Sequence, residues 1–338
     1  MGPVPVFYPG FKGVNEENAK LFGGYWGVKD LPSQAGMTYM DMVEKCGILY
    51  IIGANPMVSA PDTNRVKVML GEKDFLVVQD IFMNETAELA DVVLPAATWV
   101  EKGGTTTEVD RRVQRINKAV EPPGEAKPDW NILCELAQIM GFKEKFPFSS
   151  PDEIFEEIRE CVPQYSGITY DRLKQAGGIQ WPCLSEDHPG TDTMFVEKFG
   201  TSDGLGHLQP VEYKIPAEVP DEDFPYILTN GRVMFHYHSG TMSRKTERLI
   251  NEVPTALVEI NSDDAKEKGI NNGERVTLQS RRGQITAVAR LTDNIGKGTI
   301  FIPWHFSESG ANVLTGPSAG PPSKMPEFKF CAVKMEKS

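Results

Sequence analysis

The residues of this sequence that could do chemistry are five histidines, five cysteines and a few placed arginines and carboxylates. His236-Tyr-His238 is the one close histidine pair. In a strand, residues i and i+2 share a face, so the two imidazoles could bind a metal. No third ligand stands near them in sequence, and polar contacts at a strand end suit the pair better. Cysteines stand at 46, 134, 161, 183 and 331, the closest two 22 residues apart. That spacing contains no Cys-x-x-Cys, zinc knuckle or iron–sulfur run. It suits reduced thiols in a cytosolic protein, packed as small hydrophobes. Arg111, Arg112 and Arg115 form a local basic group that could offset phosphate charge, line an interface or simply face solvent. Asp129 directly precedes an apolar helical stretch, where it could cap the helix or accept from a ligand. Gly-x-Gly-x-x-Gly, Walker, Gly-x-Ser-x-Gly and His-Glu-x-x-His patterns are all absent. No motif taken alone is a catalyst.

The elements that must position these residues fall into three stretches. The first ~35 residues are broken by Pro9, Gly10, Gly13, Gly23, Gly24 and Gly27 and are expected to be irregular. From residue 37 a different grammar begins. Helices are expected over Met37–Glu44, Asp62–Leu70 (Asp62 near its N-cap) and Glu85–Ala90. They alternate with short apolar strands at Ile48–Ile52, Phe75–Val78 and Val92–Leu94. That alternation predicts a parallel α/β sheet. Ligands then bind in the loops at the strand carboxyl ends, here Gly53–Ser59, Gln79–Glu85 and Pro95–Gly104. Helices follow over Trp130–Met140, with Gly141 at C′, and Pro151–Cys161. The chain is then irregular to about residue 223. Beyond it, strands at Tyr226–Thr229, Ala256–Ile260, Arg275–Gln279, Gln284–Leu291 and Thr299–Ile302 predict a small β-barrel. The expected domains are therefore 1–223 and 224–338.

Composition limits the partners. The 338 residues carry 35 Lys+Arg against 47 Asp+Glu, a net charge of −12. Such a chain is a poor wrapper of nucleic acid. No stretch reaches the ~18 apolar residues of a membrane span. The start, Met1-Gly-Pro-Val-Pro-Val, shows no export signal, so a cytoplasmic location is expected.

The strongest signal lies in the order of seven motifs. They are Gly53-Ala-Asn-Pro-Met-Val-Ser59, Gln79-Asp-Ile-Phe-Met-Asn-Glu-Thr-Ala87, Ala90-Asp-Val-Val-Leu-Pro-Ala96 running on to Arg111-Arg-Val-Gln114, and Glu121-Pro-Pro-Gly-Glu-Ala-Lys-Pro-Asp129-Trp. Thr229-Asn-Gly-Arg232 with His236-Tyr-His-Ser-Gly-Thr-Met242, Ala311-Asn-Val-Leu-Thr315 and Pro326-Glu-Phe-Lys-Phe330 complete the series. Together they resemble the molybdopterin oxidoreductase superfamily that includes dimethyl sulfoxide reductase. Ile179-Gln-Trp-Pro-Cys183 and Phe328-Lys-Phe-Cys-Ala-Val-Lys favour the formate dehydrogenase catalytic subunits within it. One departure is Thr106, where relatives often carry an aromatic in a Gly-Thr-aromatic-Thr run.

The resemblance implies an α/β fold, with a Rossmann-like parallel-sheet lobe followed by a small C-terminal β-barrel of double-psi type. It implies a bis(molybdopterin guanine dinucleotide) cofactor carrying molybdenum or tungsten. Carried over position by position, Gly53, Asn55 and Ser59 match the loop meeting guanine and ribose. Gln79 and Asp80 match the next strand-end loop, and Asp129 the carboxylate on the guanine edge. Arg232 matches a pterin or diphosphate arginine, in one loop with His236, His238, Ser239, Thr241 and Met242. His305, Asn312, Phe328 and Lys329 match further cofactor positions.

The chain resembles only the carboxyl half of such a subunit, so no catalytic residue or metal ligand is assigned to it. The cysteine cluster for a [4Fe-4S] centre, the Sec or Cys metal ligand and its neighbouring His are expected on a partner half-subunit. Iron–sulfur electron-transfer subunits are expected as further partners, and formate and carbon dioxide as the small substrates. A structural subunit without cofactor, a nitrate reductase and a formylmethanofuran dehydrogenase stand as the alternatives.

Overall fold

The computed structural model describes residues 7–320 and 325–338. Residues 1–6, where the absence of an export signal was read, lie outside the described residues. The chain folds as two compact units that interleave in sequence, one holding 37–94 and 213–338, the other holding 7–36 and 95–212.

In the first unit, strands Ile48–Ile52, Phe75–Asp80 and Val92–Pro95 form a sheet in that order, the first two parallel with Ile48 opposite Phe75. The apolar runs ILYII and FLVV form these strands; Leu76 and Val78 of the second are buried, whereas Ile48 and Ile52 of the first stay exposed. Helices Tyr39–Lys45 and Thr63–Gly71 bury Val43, Val66 and Leu70 against Leu76 and Val78. Asp62 sits at the N-cap position of the second helix but in the left-handed region (φ 48°), and its side chain makes no cap hydrogen bond. The helix expected over Glu85–Ala90 is only a single 3-10 turn, Ala87–Leu89.

The same unit holds a closed six-stranded barrel. Its order is Leu257–Ile260, Gln284–Leu291, Arg275–Gln279, Cys331–Lys337, Tyr226–Gly231 and Thr299–Pro303. Two of its pairings are parallel, 257–260 with 284–291 and 226–231 with 299–303, and the hairpin Gln279↔Gln284 is antiparallel. Leu228, Val258, Ile260, Leu278, Ile300, Ile302 and Phe306 fill the interior. Each such side chain contributes on the order of 1.5–3 kcal/mol on leaving water. The barrel is fastened to the sheet's loops by hydrogen bonds from Asn312 Nδ2 to Val58 O (2.7 Å) and from Asp62 N to Thr315 O (3.1 Å).

The second unit corrects the irregular reading of the first 35 residues. Helix Glu16–Trp26 forms there, capped by the Asn15 side chain on Asn18 N and ended by Gly27 at φ 59°. Gly23 is required inside it, because any Cβ would stand 2.6 Å from Val28 O. Stacking of Tyr8 on Phe22, at 5.0 Å between ring centroids, buries the helix's apolar stripe. Helices Asp129–Ile139, Pro151–Cys161 and Tyr170–Ala176 pack with an antiparallel sheet of Gly104–Thr107, Arg112–Ile116 and Ile179–Gln180. All five cysteines are free, four of them buried. Among the described residues, no helix is long and apolar enough to cross a membrane.

Candidate cofactor-binding site

The loop after the first strand opens at Gly53, whose φ of 59° disfavours any side chain. Asn55 follows, 5% exposed and fully engaged within the unit. Its Nδ2 donates to Glu85 Oε2 (2.7 Å) and weakly to Thr241 Oγ1 (3.4 Å), and its Oδ1 accepts from the Thr86 hydroxyl (2.8 Å). Ser59 donates to Asn55 O (2.9 Å). Gln79, wholly buried, accepts from Tyr50 OH. Asp80 ties its own loop, accepting from Ile81 N (2.7 Å) and Asn84 Nδ2 (2.9 Å). These residues act first on the protein, setting the shape of the strand-end loops. Burial raises the Glu85 pKa, but hydrogen bonds from Ser307 and Asn55 and the charge of Arg244 outweigh it. The carboxyl is held below its ordinary value.

The barrel contributes the loop 231–244. Arg232 is exposed, with Nη2 3.2 Å from His238 Nδ1, and its guanidinium lies 6.0 Å from the Tyr237 ring centroid. Ser239 and Thr241 share a hydrogen bond of 2.8 Å. Gly240 needs its φ of 76°, and a Cβ there would stand 2.8 Å from His305 O. Three candidates serve as the loop's internal frame. His236 is buried, Nε2 donating to Val253 O (2.8 Å) and Nδ1 meeting Ser243 Oγ (3.2 Å). His305 is wholly buried, Nε2 accepting from Val233 N (3.0 Å) and Nδ1 donating to His238 O. Asn312, besides reaching Val58, accepts from Asn230 Nδ2 (3.2 Å). Lys329 donates to Asn230 O (2.6 Å). Phe328 is half-buried beside it, its amide on Pro326 O (2.9 Å).

The electrostatics of this loop point one way. Burial, then the charge of Arg232, pushes both His238 and Lys329 below their usual pKa values. His305 is lowered too, by burial first, with the His236 and Arg232 charges adding and the bond to His238 O opposing. A guanidinium, an ammonium and an imidazole gathered this way have the donors that could hold an anion of phosphate type. The paired His236 and His238 do not share a site, because His236 is spent on Val253 and Ser243. No cluster of three metal-ligating side chains occurs among the described residues.

In the second unit, Asp129 is not the N-cap of its helix. Pro128 holds that position, and Asp129 is the first helical residue. Its carboxylate instead pairs with Lys102 Nζ. Both line a pocket of about 260 Å³, with Gly103, Gly104, Thr105, Ile116, Trp130 and Phe155 also in its lining. Tyr170 lines it as well, with a buried hydroxyl that has no hydrogen-bond partner. Burial first, then the Asp152 charge, pushes that phenol up to about 12, against the opposing charge of Arg115. Arg115 stacks over the Tyr170 ring at 4.9 Å. Arg111 reaches Asp192 O (2.8 Å), and Arg112 pairs with Asp110.

Sequence reasoning passed over Lys102, Glu85 and Arg244. Glu85 lies inside the quoted motif 79–87, but its partner Asn55 is 30 residues away and was read as a ligand contact. Lys102 carried no local signal, since its partner Asp129 is 27 residues away.

The sequence profile described as Molybdopterin oxidoreductase matches residues 9–139, and that described as Molydopterin dinucleotide binding domain matches residues 226–332. The F420-dependent formate dehydrogenase subunit alpha of Methanocaldococcus jannaschii is 51% identical, over 100% of this chain and 50% of that protein. The assimilatory nitrate reductase catalytic subunit of Bacillus subtilis is 39% identical, over 97% of this chain and 48% of that protein. Formate dehydrogenase H of Escherichia coli is 33% identical, over 99% and 48%. The chain thus spans about half the length of the curated relatives it matches. Among solved structures, acetylene hydratase from Pelobacter acetylenicus shares the fold at a TM-score of 0.66 and 20% identity, over 86% of this chain and 44% of that one. With the α/β sheet, the closed barrel and the ordered loops in place, the chain belongs to the molybdopterin oxidoreductase superfamily that includes dimethyl sulfoxide reductase, related within it to formate dehydrogenase alpha subunits.

Proposed function

We propose that this chain holds and orients a molybdopterin guanine dinucleotide of a formate dehydrogenase. The observation that carries the reading is the Arg232 guanidinium 3.2 Å from His238 on the barrel loop, with the Lys329 ammonium, bonded to Asn230 O at 2.6 Å, close enough for its charge and that of Arg232 to oppose each other. Arg232 and Lys329 would take the diphosphate or pterin oxygens, and Ser239 and Thr241 would offer hydroxyls beside them. In the other unit, the Asp129 carboxylate would accept from guanine N1–H and N2–H₂. A bis-dinucleotide cofactor has two guanines, so the two surfaces need not serve the same one. The metal, molybdenum or tungsten, supplies two-electron chemistry when bound: formate gives carbon dioxide, a proton and two electrons. In this reading the metal ligand and the [4Fe-4S] cysteines lie on the half of the relatives' length that this chain does not match. A partner half-subunit supplies them, iron–sulfur subunits carry the electrons onward, and the assembly is cytoplasmic.

The 39% identity to a nitrate reductase favours nitrate reduction as a second reading. The test is to purify the complex that contains this chain and measure viologen dye reduction by formate and dye oxidation by nitrate. Formate-dependent reduction is expected. Nitrate-dependent oxidation without formate activity would replace the first reading with the second.

A further inference from the structure

The three-stranded sheet carries apolar side chains on both faces, and the chain covers only one of them. Leu49, Ile51, Leu76, Val78 and Val93 belong to the cluster packed by helices Tyr39–Lys45 and Thr63–Gly71. Side chains alternate along a strand, so the opposite face holds Ile48, Tyr50, Ile52, Phe75, Val77 and Val92. None of these is charged. Four of them stay open to water: Ile48 is 67% exposed, Ile52 44%, Phe75 40% and Val92 38%. A sheet face that is solvated in the native protein carries polar residues at the outward positions. Parallel strands are apolar on both faces because a layer covers each of them. Ile48–Ile52 is also the edge strand of its sheet, and it has no charged residue or proline to blunt that edge.

We propose that this face and edge are the docking surface for the polypeptide corresponding to the half of the relatives' length that this chain does not match. That polypeptide lays an apolar helix across Ile48, Phe75 and Val92 and pairs a strand alongside Ile48–Ile52, so one sheet is built from two polypeptides. The proposal rests on the half-subunit reading above and adds where the two halves meet. A second copy of this chain is the competing occupant. It would bring another uncovered sheet face, and the layer that a parallel sheet needs would still be missing.

The test footprints native side chains. The full chain expressed alone and the complex purified through it are each irradiated with a diazirine, and mass spectrometry reads carbene labelling at Ile48, Ile52, Phe75 and Val92. Labelling is expected to fall several-fold in the complex. Ile48→Asp places a charge on the open face without touching the buried cluster. It is expected to weaken assembly roughly ten- to hundredfold, the loss of one buried aliphatic side chain, while Ile48→Leu keeps assembly intact. Equal labelling in the chain and in the complex overturns the proposal, as does full assembly by Ile48→Asp. Protection already present in the chain alone, with light scattering reporting a dimer, overturns it in favour of a second copy. If purification through this chain brings down no second polypeptide of comparable length, the half-subunit reading itself falls.

Discussion

Asn55→Asp changes one amide to a carboxylate of the same shape, and the structure assigns it a sharp cost. Oδ1 still accepts from Thr86 at 2.8 Å. The other oxygen now faces Glu85 Oε2, where the amide donated at 2.7 Å. Two carboxylates at that distance cannot both ionise, so one keeps a proton. A hydrogen bond to a charged group is worth ~1.5–3 kcal/mol. Glu85 is partly exposed and keeps some water, so the expected loss at pH 7 is about 2 kcal/mol. The pH dependence has a definite sign. In the wild type, the lowered Glu85 pKa gives stability that is present above the unfolded value and lost as pH falls through the folded value. In the variant, the shared proton has a folded pKa above the unfolded value. Its penalty is absent below the unfolded value, grows as pH rises and levels off above the folded one. The stability gap between the two proteins must therefore narrow on acidification. Urea unfolding at pH 7, 5 and 4 measures this gap. Equal stability at pH 7, or a gap that widens toward pH 4, refutes the assigned Asn55–Glu85 contact.

Two other substitutions probe the frame of the same unit. Gly240→Ala must place a Cβ at φ 76° against His305 O, so a loss of about 1–3 kcal/mol is expected in thermal unfolding. An unchanged midpoint would mean the loop does not hold that conformation. Burial raises the Glu218 pKa, but bonds from Arg282 and Ala332 N outweigh it and leave the carboxyl low. Its stability contribution is present above the unfolded pKa and lost below it. Glu218→Gln should cost about 1 kcal/mol at pH 7 and lessen the acid sensitivity of unfolding, and a difference that persists at pH 3 would contradict this.

Where burial follows a local pattern, the sequence was readable. The alternating strands Arg275–Gln279 and Gln284–Leu291 stand at their expected bounds because each pattern matches one buried face, and the apolar run Ile48–Ile52 stands at its expected bounds too, as a strand without a buried residue. Helix Glu16–Trp26 was missed because Gly23 and Gly24 mask its period. The signals that mark it were Asn15 and Gly27 at its ends. Strand Cys331–Lys337 owes its place to pairing with Arg275–Gln279, some 55 residues earlier, and nothing local announces it. The same limit applies to the site. Asn55, His236, His305 and Asn312 carry the right chemistry for ligands, yet their polar atoms meet Glu85, Val253, Val233 and Val58. His238 and Lys329 differ because burial and the charge of Arg232 both act against their protonated forms, a property visible only in three dimensions.

The central claim is that this chain holds a molybdopterin guanine dinucleotide, and the most direct measurement is the cofactor content of the complex it forms. Acid hydrolysis of the purified complex should release GMP, together with molybdenum or tungsten. The Arg232→Ala complex should release several-fold less of both, with the barrel still folded by circular dichroism. A wild-type complex without guanine nucleotide or metal, or an Arg232→Ala complex with full content, would contradict the account.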